Sequence, residues 1–263
     1  MMVKWPDLMA EFDRWEEAGK VATLWWRDDD AVAPTARLGR LLSIASGVPV
    51  SLAVVPADAE PELAQWLAHY PRSAPKASVA VLQHGWRHLN HSGAGKKSEF
   101  PAERPSAEME FELAAGRVRL RELFGTRAQP VLVPPWNRFD DSLLVLLARC
   151  GLTGISRARP RNAARPAPGI IEVNIHIDLV AWTGGRGFVG EEAALDGLVG
   201  HLRERRLRTV GADEPTGILT HHLVQDVATD AFLDRLIAMS ITHPAVRWLD
   251  AREIFVPAML VAA

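Results

Sequence analysis

The sequence predicts an α/β fold in which parallel βαβ units close into a barrel or near-barrel, with a doubly wound open sheet as the alternative. Three observations predict it. Short apolar runs alternate with longer helical patterns along all 263 residues, as repeated crossover units do. Several of these runs are apolar without interruption, which suits strands covered on both faces. Residues with acid–base or metal-binding chemistry stand just after the runs, and parallel folds gather functional groups at the carboxyl ends of their strands.

The elements follow in order. Met, Leu, Phe and Trp recur at helical spacing over residues 1–20, predicting a helix. VATLWW (21–26) is the first strand, followed by Arg27 and then Asp28, Asp29 and Asp30. Three adjacent carboxylates repel one another, so the strand is expected to end before them. A helix over 35–46 leads to the strand VPVSLAVV (48–55), and a helix over 60–70 to SVAVLQ (78–83). His84, His88 and His91 come next. Ser106 is expected to cap a helix over 106–125. PVLVP (130–134), a helix over 140–151 and LTGIS (152–156) follow, and RARPRNAARPAPG (157–169) reads as an exposed connection. IIEVNIHI (170–177) is a strand, 191–206 a helix, TGILTH (216–221) a strand and 229–240 a helix; AVRWL (245–249) is a further candidate strand.

No composition shift or repeat divides this pattern, so one domain over 1–263 is expected. Hydrophobic residues make up 48% and charged residues 24%, the balance of a globular chain with a substantial core. A net charge of −2 gives no case for nucleic acid or an anionic membrane as partner. The basic run RERRLR (203–208) reads as the solvated face of a helix. Cys150 is alone, which excludes an intrachain disulfide. The first residues lack the apolar stretch of a signal peptide, and no run approaches the ~20 residues of a membrane span. The expected compartment is the cytoplasm, and the expected partner a small-molecule or carbohydrate substrate.

The chemistry gathers at one pole. An aspartate with two imidazoles is a three-ligand set for a divalent metal that leaves positions open. His84 and His88 are four apart, so a helical turn would face both rings the same way, and Gly85 permits a sharp turn between strand and helix. A second aspartate, its side chain diverging from the ligand, can accept a proton from water. A histidine across the mouth can protonate a leaving group, and a backbone N–H can hold an oxyanion. Those parts describe hydrolysis of an amide or ester.

In this order the residues resemble the polysaccharide deacetylase superfamily, the chitooligosaccharide deacetylase homology domain. The resemblance implies a distorted (β/α) barrel of about seven parallel strands and a metal-dependent hydrolase that removes acetyl groups from sugars. Asp29-Asp30 resembles its first motif, implying Asp29 as base and Asp30 as metal ligand; Asp28-Asp29 is the alternative register. His84-Gly85-Trp86-Arg87-His88 resembles the second, implying His84 and His88 as ligands. Val133-Pro134-Pro135-Trp136-Asn137 resembles the third, implying an oxyanion contact from the Trp136 N–H. Asp178 with Trp182 resembles the fourth and Leu219-Thr220-His221 the fifth. They imply His221 as general acid, with His222 competing for that role and Asp178 as its charge partner.

The implied cofactor is one divalent ion, zinc by default, with nickel, cobalt, manganese or iron as alternatives. Two departures stand out. Val133 occupies the position of the family's arginine, which leaves Arg27, Arg138 or Arg186 to orient the base, or no residue at all. Gly85 stands where the family has a hydroxyl. Trp86, Pro135, Asn137, Arg138, Trp182 and His222 are expected to meet substrate, with Trp86, Trp136 and Trp182 as an aromatic rim. The expected activity is removal of an acyl group, N-acetyl first, from a carbohydrate or related small amide. The rivals are a hydrolase of a small non-sugar amide, cyclic amides included, and a sugar- or metabolite-binding protein that kept the fold without turnover.

Overall fold

The computed structural model describes residues 2–70 and 78–256. Helix α1 (Trp5–Glu17) precedes β1 (Ala22–Ala31), and α2 (Ala36–Ile44) leads to β2 (Val50–Val54). Next come α3 (Pro61–Leu67), β3 (Val79–His84), α4 (Ser106–Phe124), β4 (Ala128–Val133), α5 (Leu144–Arg149) and β5 (Gly154–Ile155). The short strands β6 (Ile171–Glu172) and β7 (Ile177–Asp178) precede a hairpin of β8 (Val180–Ala181) and β9 (Gly187–Phe188). Helix α6 (Glu191–Leu207), β10 (Thr216–Thr220), α7 (Val227–Ser240), β11 (Val246–Trp248) and α8 (Ala251–Ile254) complete the order.

The sheet runs β6-β5-β4-β3-β2-β1-β10-β7 with parallel pairing, and β11 joins beside β1. Its two ends are the same stretch of chain. The N–H groups of Ile171, Val173 and Ile175 bond to the carbonyls of Thr153, Ile155 and Arg157; those of His176 and Leu179 then bond to Gly217 and Leu219. The run predicted as one strand over 170–177 therefore changes partner midway and closes the barrel. Counting it as one stave, with β1 to β5 and β10, gives seven. The fold is the expected distorted (β/α) barrel.

Alternation along β1 sorts its side chains. Trp25 belongs to the barrel interior with Ala53, Leu82, Val131, Val133 and Leu219, whereas Leu24 and Trp26 pack with the helices. Phe255, just past α8, closes the interior against Trp25 at 6.0 Å. Gly217 is required opposite Trp25: a Cβ there would lie 2.4 Å from its Nε1 and 2.5 Å from the Asn174 carbonyl.

Three expectations are corrected. The strand does not stop at residue 26; β1 continues through all three aspartates, because each finds its own partner. Ser106 is the first helical residue of α4 and Pro105 precedes it as cap, with no side-chain hydrogen bond. Arg205 is not on a solvated face. It is buried, donating to the Thr23 carbonyl at 2.8 Å, Thr23 Oγ1 at 2.7 Å and Thr216 Oγ1 at 3.0 Å, which ties α6 to the barrel.

Candidate active site

Because the staves are parallel, the ends of β1, β3, β4, β7 and β10 share one mouth. The three aspartates leave β1 in three directions. Asp29 lies on the same face as Trp25 and Arg27. Arg27, fully buried, grips it as a fork, Nε to Oδ1 at 2.8 Å and Nη2 to Oδ2 at 3.0 Å. The guanidinium is itself held by Ser156 Oγ at 2.7 Å and Asn137 Oδ1 at 2.7 Å. Of the three arginines considered for orienting Asp29, Arg27 is the one that touches it. Arg138 instead donates to the Lys97 carbonyl at 2.8 Å.

Asp28 faces the other way. Its Oδ1 meets His222 Nδ1 at 2.5 Å, and its Oδ2 accepts from Thr220 Oγ1 at 2.7 Å and the His222 N–H at 2.9 Å. His222 is thereby buried against a carboxylate at 1% exposure. Its ring braces Asp28 and is not an open substrate contact, which corrects that expectation.

Asp30 sits at a register shift between β1 and β2, with φ of 71°, so its carboxylate turns to the mouth. Its Oδ1 is 3.1 Å from His84 Nε2 and 3.5 Å from His88 Nε2. One donor atom from each of the three lies within 4.8 Å of the others, a set that could hold a metal ion. The fit is chemical as well as spatial. His84 Nδ1 points at the Val133 carbonyl at 3.0 Å and must donate to it, which aims Nε2 at the cluster, where it donates to Asp30 while protonated and offers a lone pair to an ion once that proton leaves. Burial alone would raise the Asp30 pKa, but the His84 hydrogen bond and the charges of His84, His221 and His88 hold it far below the usual carboxylate range. Burial and the His84 charge push His88 down, toward its neutral, ligating form. For His84 burial acts downward, and the Asp29 and Asp30 carboxylates outweigh it.

The helical turn expected between the two histidines is not there. Residues 85–88 form a bend, with φ of 58° at Gly85 and 56° at His88, and the rings stand 5.1 Å apart. Trp136 packs on His88 at 4.4 Å. Its own φ is 58° in the turn after Pro135, and among the described residues its N–H has no partner, as an oxyanion donor requires.

On the far side of the mouth, His221 follows β10 and meets the Trp182 ring edge-on at 4.6 Å. Its Nδ1 is buried with no partner among the described residues. Asp178 is not hydrogen-bonded to it, and its charge acts on the ring across space. The Asp178 carboxylate accepts from Trp182 Nε1 at 2.7 Å and the Val180 N–H at 3.0 Å, so it acts on His221 through the tryptophan and through charge. Burial raises the Asp178 pKa.

The expected substrate contacts divide. Trp182 is 47% exposed beside His221. Pro135 is buried against Gly85. Asn137 accepts from Arg27, which makes it a brace of the guanidinium that grips Asp29. Trp86 and His91 line a cavity of about 610 Å³ along α4, and Arg138 one of about 580 Å³ beside Arg157. Both flank the Asp30 cluster without including it. Two residues escaped the sequence reading altogether. Ser156 steadies Arg27, and buried Glu99 accepts the Trp86 and Arg87 N–H groups.

No family model and no curated protein matches the sequence. Solved structures do match over most of the chain. A family 4 carbohydrate esterase from Streptomyces lividans in complex with acetate is 17% identical, with a TM-score of 0.54 over 86% of this chain and 91% of that one. A peptidoglycan N-acetylglucosamine deacetylase is 15% identical, with a TM-score of 0.56 over 92% and 95%. A mutant of a CE4-family pseudoenzyme with restored enzymatic activity is 14% identical, with a TM-score of 0.55 over 90% and 68%. The chain has the fold of these carbohydrate esterases and deacetylases.

Proposed function

We propose that this protein is a metal-dependent hydrolase that removes an acyl group, N-acetyl first, from a carbohydrate or related small amide. The observation that carries the reading is the separation of two adjacent carboxylates. Asp30 turns to two imidazoles while Asp29, one residue away, is locked by the Arg27 fork. A base and a ligand from neighbouring residues need that divergence, and Arg27 supplies the cation that Val133 does not.

Asp30, His84 and His88 would hold the ion, and a bound divalent metal, zinc first by donor set, supplies Lewis acidity to the acyl oxygen and to water. Asp29 takes the proton from the attacking water, its carboxylate held in place by Arg27, Ser156 and Asn137. The Trp136 N–H donates to the oxygen that gains charge. His221 gives a proton to the departing nitrogen, with Trp182 and Asp178 fixing its ring. Water and amide become acetate and amine.

The pseudoenzyme among the structural neighbours makes a binding-only protein the natural rival. The reading of this chain as catalytic rests on an intact set of base, ligands and acid.

The test is elemental analysis of protein purified without added metal, beside Asp30→Ala and His84→Ala, with acetate release from N-acetylated amino sugars measured in parallel. About one transition metal per chain, lost in both variants together with acetate release, is the expected result. A protein that neither carries nor takes up zinc refutes the mechanism.

A further inference from the structure

His84 ends β3, and the chain has only Gly85, Trp86 and Arg87 in which to turn before His88 must return to the same cluster. It does so without a helix, so the Trp86 and Arg87 N–H groups gain no carbonyl from a helical ladder. A buried N–H without a partner is costly, and a non-glycine residue at positive φ such as His88 costs about 1–3 kcal/mol unless its surroundings over-determine it. Something must hold this bend.

We infer that Glu99 is the positioning residue for the Asp30–His84–His88 set, a carboxylate clamp that fixes the bend carrying His88; this rests on the reading of those residues as metal ligands. Its Oε2 accepts the Trp86 N–H at 3.1 Å and its Oε1 the Arg87 N–H at 2.7 Å, one oxygen for each orphan donor. Bonds to an ionised acceptor are stronger than neutral ones. Glu99 is 1% exposed, so its carboxylate is satisfied by these amides and not by bulk water.

The clamp is itself anchored on both sides. Ser98 accepts from the His91 N–H at 2.8 Å and donates its own N–H to Asn90 Oδ1 at 3.0 Å, while Phe100 packs on Phe139 at 5.8 Å. Gly85 is the other half of the device. A Cβ at that position would lie 1.8 Å from Glu99 Oε2 and 2.8 Å from the Pro135 ring, so any side chain there would evict the carboxylate. The long irregular stretch after β3 thus has a definite task, which is to bring one buried carboxylate under the bend. Glu99 acts through the backbone and is not one of the three clustered donors.

The test compares wild type with Glu99→Gln and Glu99→Ala. Zinc affinity is read by competition with a chromophoric chelator, and the cobalt-substituted absorption spectrum reports ligand geometry. Partners that orient metal ligands typically change affinity 10–100-fold when removed. Glu99→Ala should fall in that range, and Glu99→Gln, which keeps one acceptor, should weaken zinc about tenfold and alter the cobalt spectrum. If Glu99→Ala does not fold, Glu99→Gln decides alone. Zinc affinity within twofold of wild type in Glu99→Gln, even with a lowered melting temperature, would make Glu99 a folding residue only and overturn the inference. Should wild type take up no zinc, the proposed function fails, and the clamp is judged by hydrogen exchange in the metal-free protein. Trp86 and Arg87 amides exchanging at least tenfold faster in Glu99→Gln support it, and unchanged rates overturn it.

Discussion

Replacing Arg27 by methionine removes the guanidinium that faces Asp29 inside the barrel while keeping most of the side-chain volume. Four groups lose a partner at once: both Asp29 oxygens, at 2.8 and 3.0 Å, Ser156 Oγ at 2.7 Å and Asn137 Oδ1 at 2.7 Å. Arg27 is fully buried and Asp29 only 2% exposed, so water cannot take over. Breaking a buried pair by removing one partner costs about 3–5 kcal/mol, and that is the loss of unfolding free energy expected for Arg27→Met at pH 7. The double variant Arg27→Met/Asp29→Asn leaves no orphan charge, so the two substitutions should be coupled by more than about 1 kcal/mol, within the usual range for residues in contact. Urea unfolding followed by tryptophan fluorescence measures both, provided the slope with denaturant is unchanged. Arg27→Lys keeps the charge but loses the fork. It should lower acetate release while leaving zinc content intact, which separates positioning of the base from metal loading. A cost below about 1 kcal/mol for Arg27→Met, or additivity within about 0.5 kcal/mol in the cycle, would refute the claim that Arg27 stands in for the missing arginine.

Two further predictions test the frame around the site. Gly217→Ala places a methyl 2.4 Å from Trp25 Nε1 and 2.5 Å from the Asn174 carbonyl, where the stave over 171–178 closes on β10. It should cost about 3 kcal/mol, the upper end of ordinary overpacking; a melting temperature within a degree or two of wild type would contradict the closure. His201 is buried beneath β10, and burial first, then His176 and Arg205, push its pKa down to about 2. Below pH 6.5 the unfolded chain therefore binds a proton that the native state refuses, and stability falls with decreasing pH by about 1.4 kcal/mol per unit from this group. The stability gap between wild type and His201→Gln should shift in the variant's favour by that slope between pH 6 and 4. A gap that stays constant over that window would count against a buried neutral ring.

Much of this was legible from periodicity. Uninterrupted apolar runs marked the staves, and their ends marked the mouth, because the length of an apolar run and the residue at which it stops are local properties of the chain. What escaped depends on partners far away in sequence. The end of the first strand was misplaced because like-charge repulsion is visible in Asp28-Asp29-Asp30, whereas, Arg27 apart, the groups that relieve it, His222, His84 and His88, lie about 50 to 200 residues on (by simple count along the chain). Arg205 had a signal that charge concealed. It falls on the helical stripe of Leu195, Leu198 and Leu202, all buried, and spacing was the better guide than the basic run around it. His84 and His88 had the spacing of a helix, but Gly85 between them was the hint of a bend. Glu99 carried no signal at all, since a lone carboxylate in an irregular loop becomes informative only when the amides it meets are known.

The triplet explains why a strand tolerates so much negative charge at its end. Alternation sends Asp28 to one face and Asp29 to the other, and the shift in register at Asp30 gives the third carboxylate a direction that neither face offers. Repulsion between neighbours is thereby reduced by geometry before any counter-charge is considered. Each direction then ends in a different partner: an imidazole with a hydroxyl for Asp28, a guanidinium for Asp29, two imidazole nitrogens for Asp30. Three chemically identical side chains acquire three environments within one turn of backbone. A one-residue slip of β1 would exchange the inward and outward faces, setting Asp28 inside the barrel in place of Arg27 and Asp29. The pairing of Leu24 to Asp28 with Thr216 to Thr220 guards against that slip, so the register of the barrel and the chemistry proposed for its mouth are set by the same hydrogen bonds.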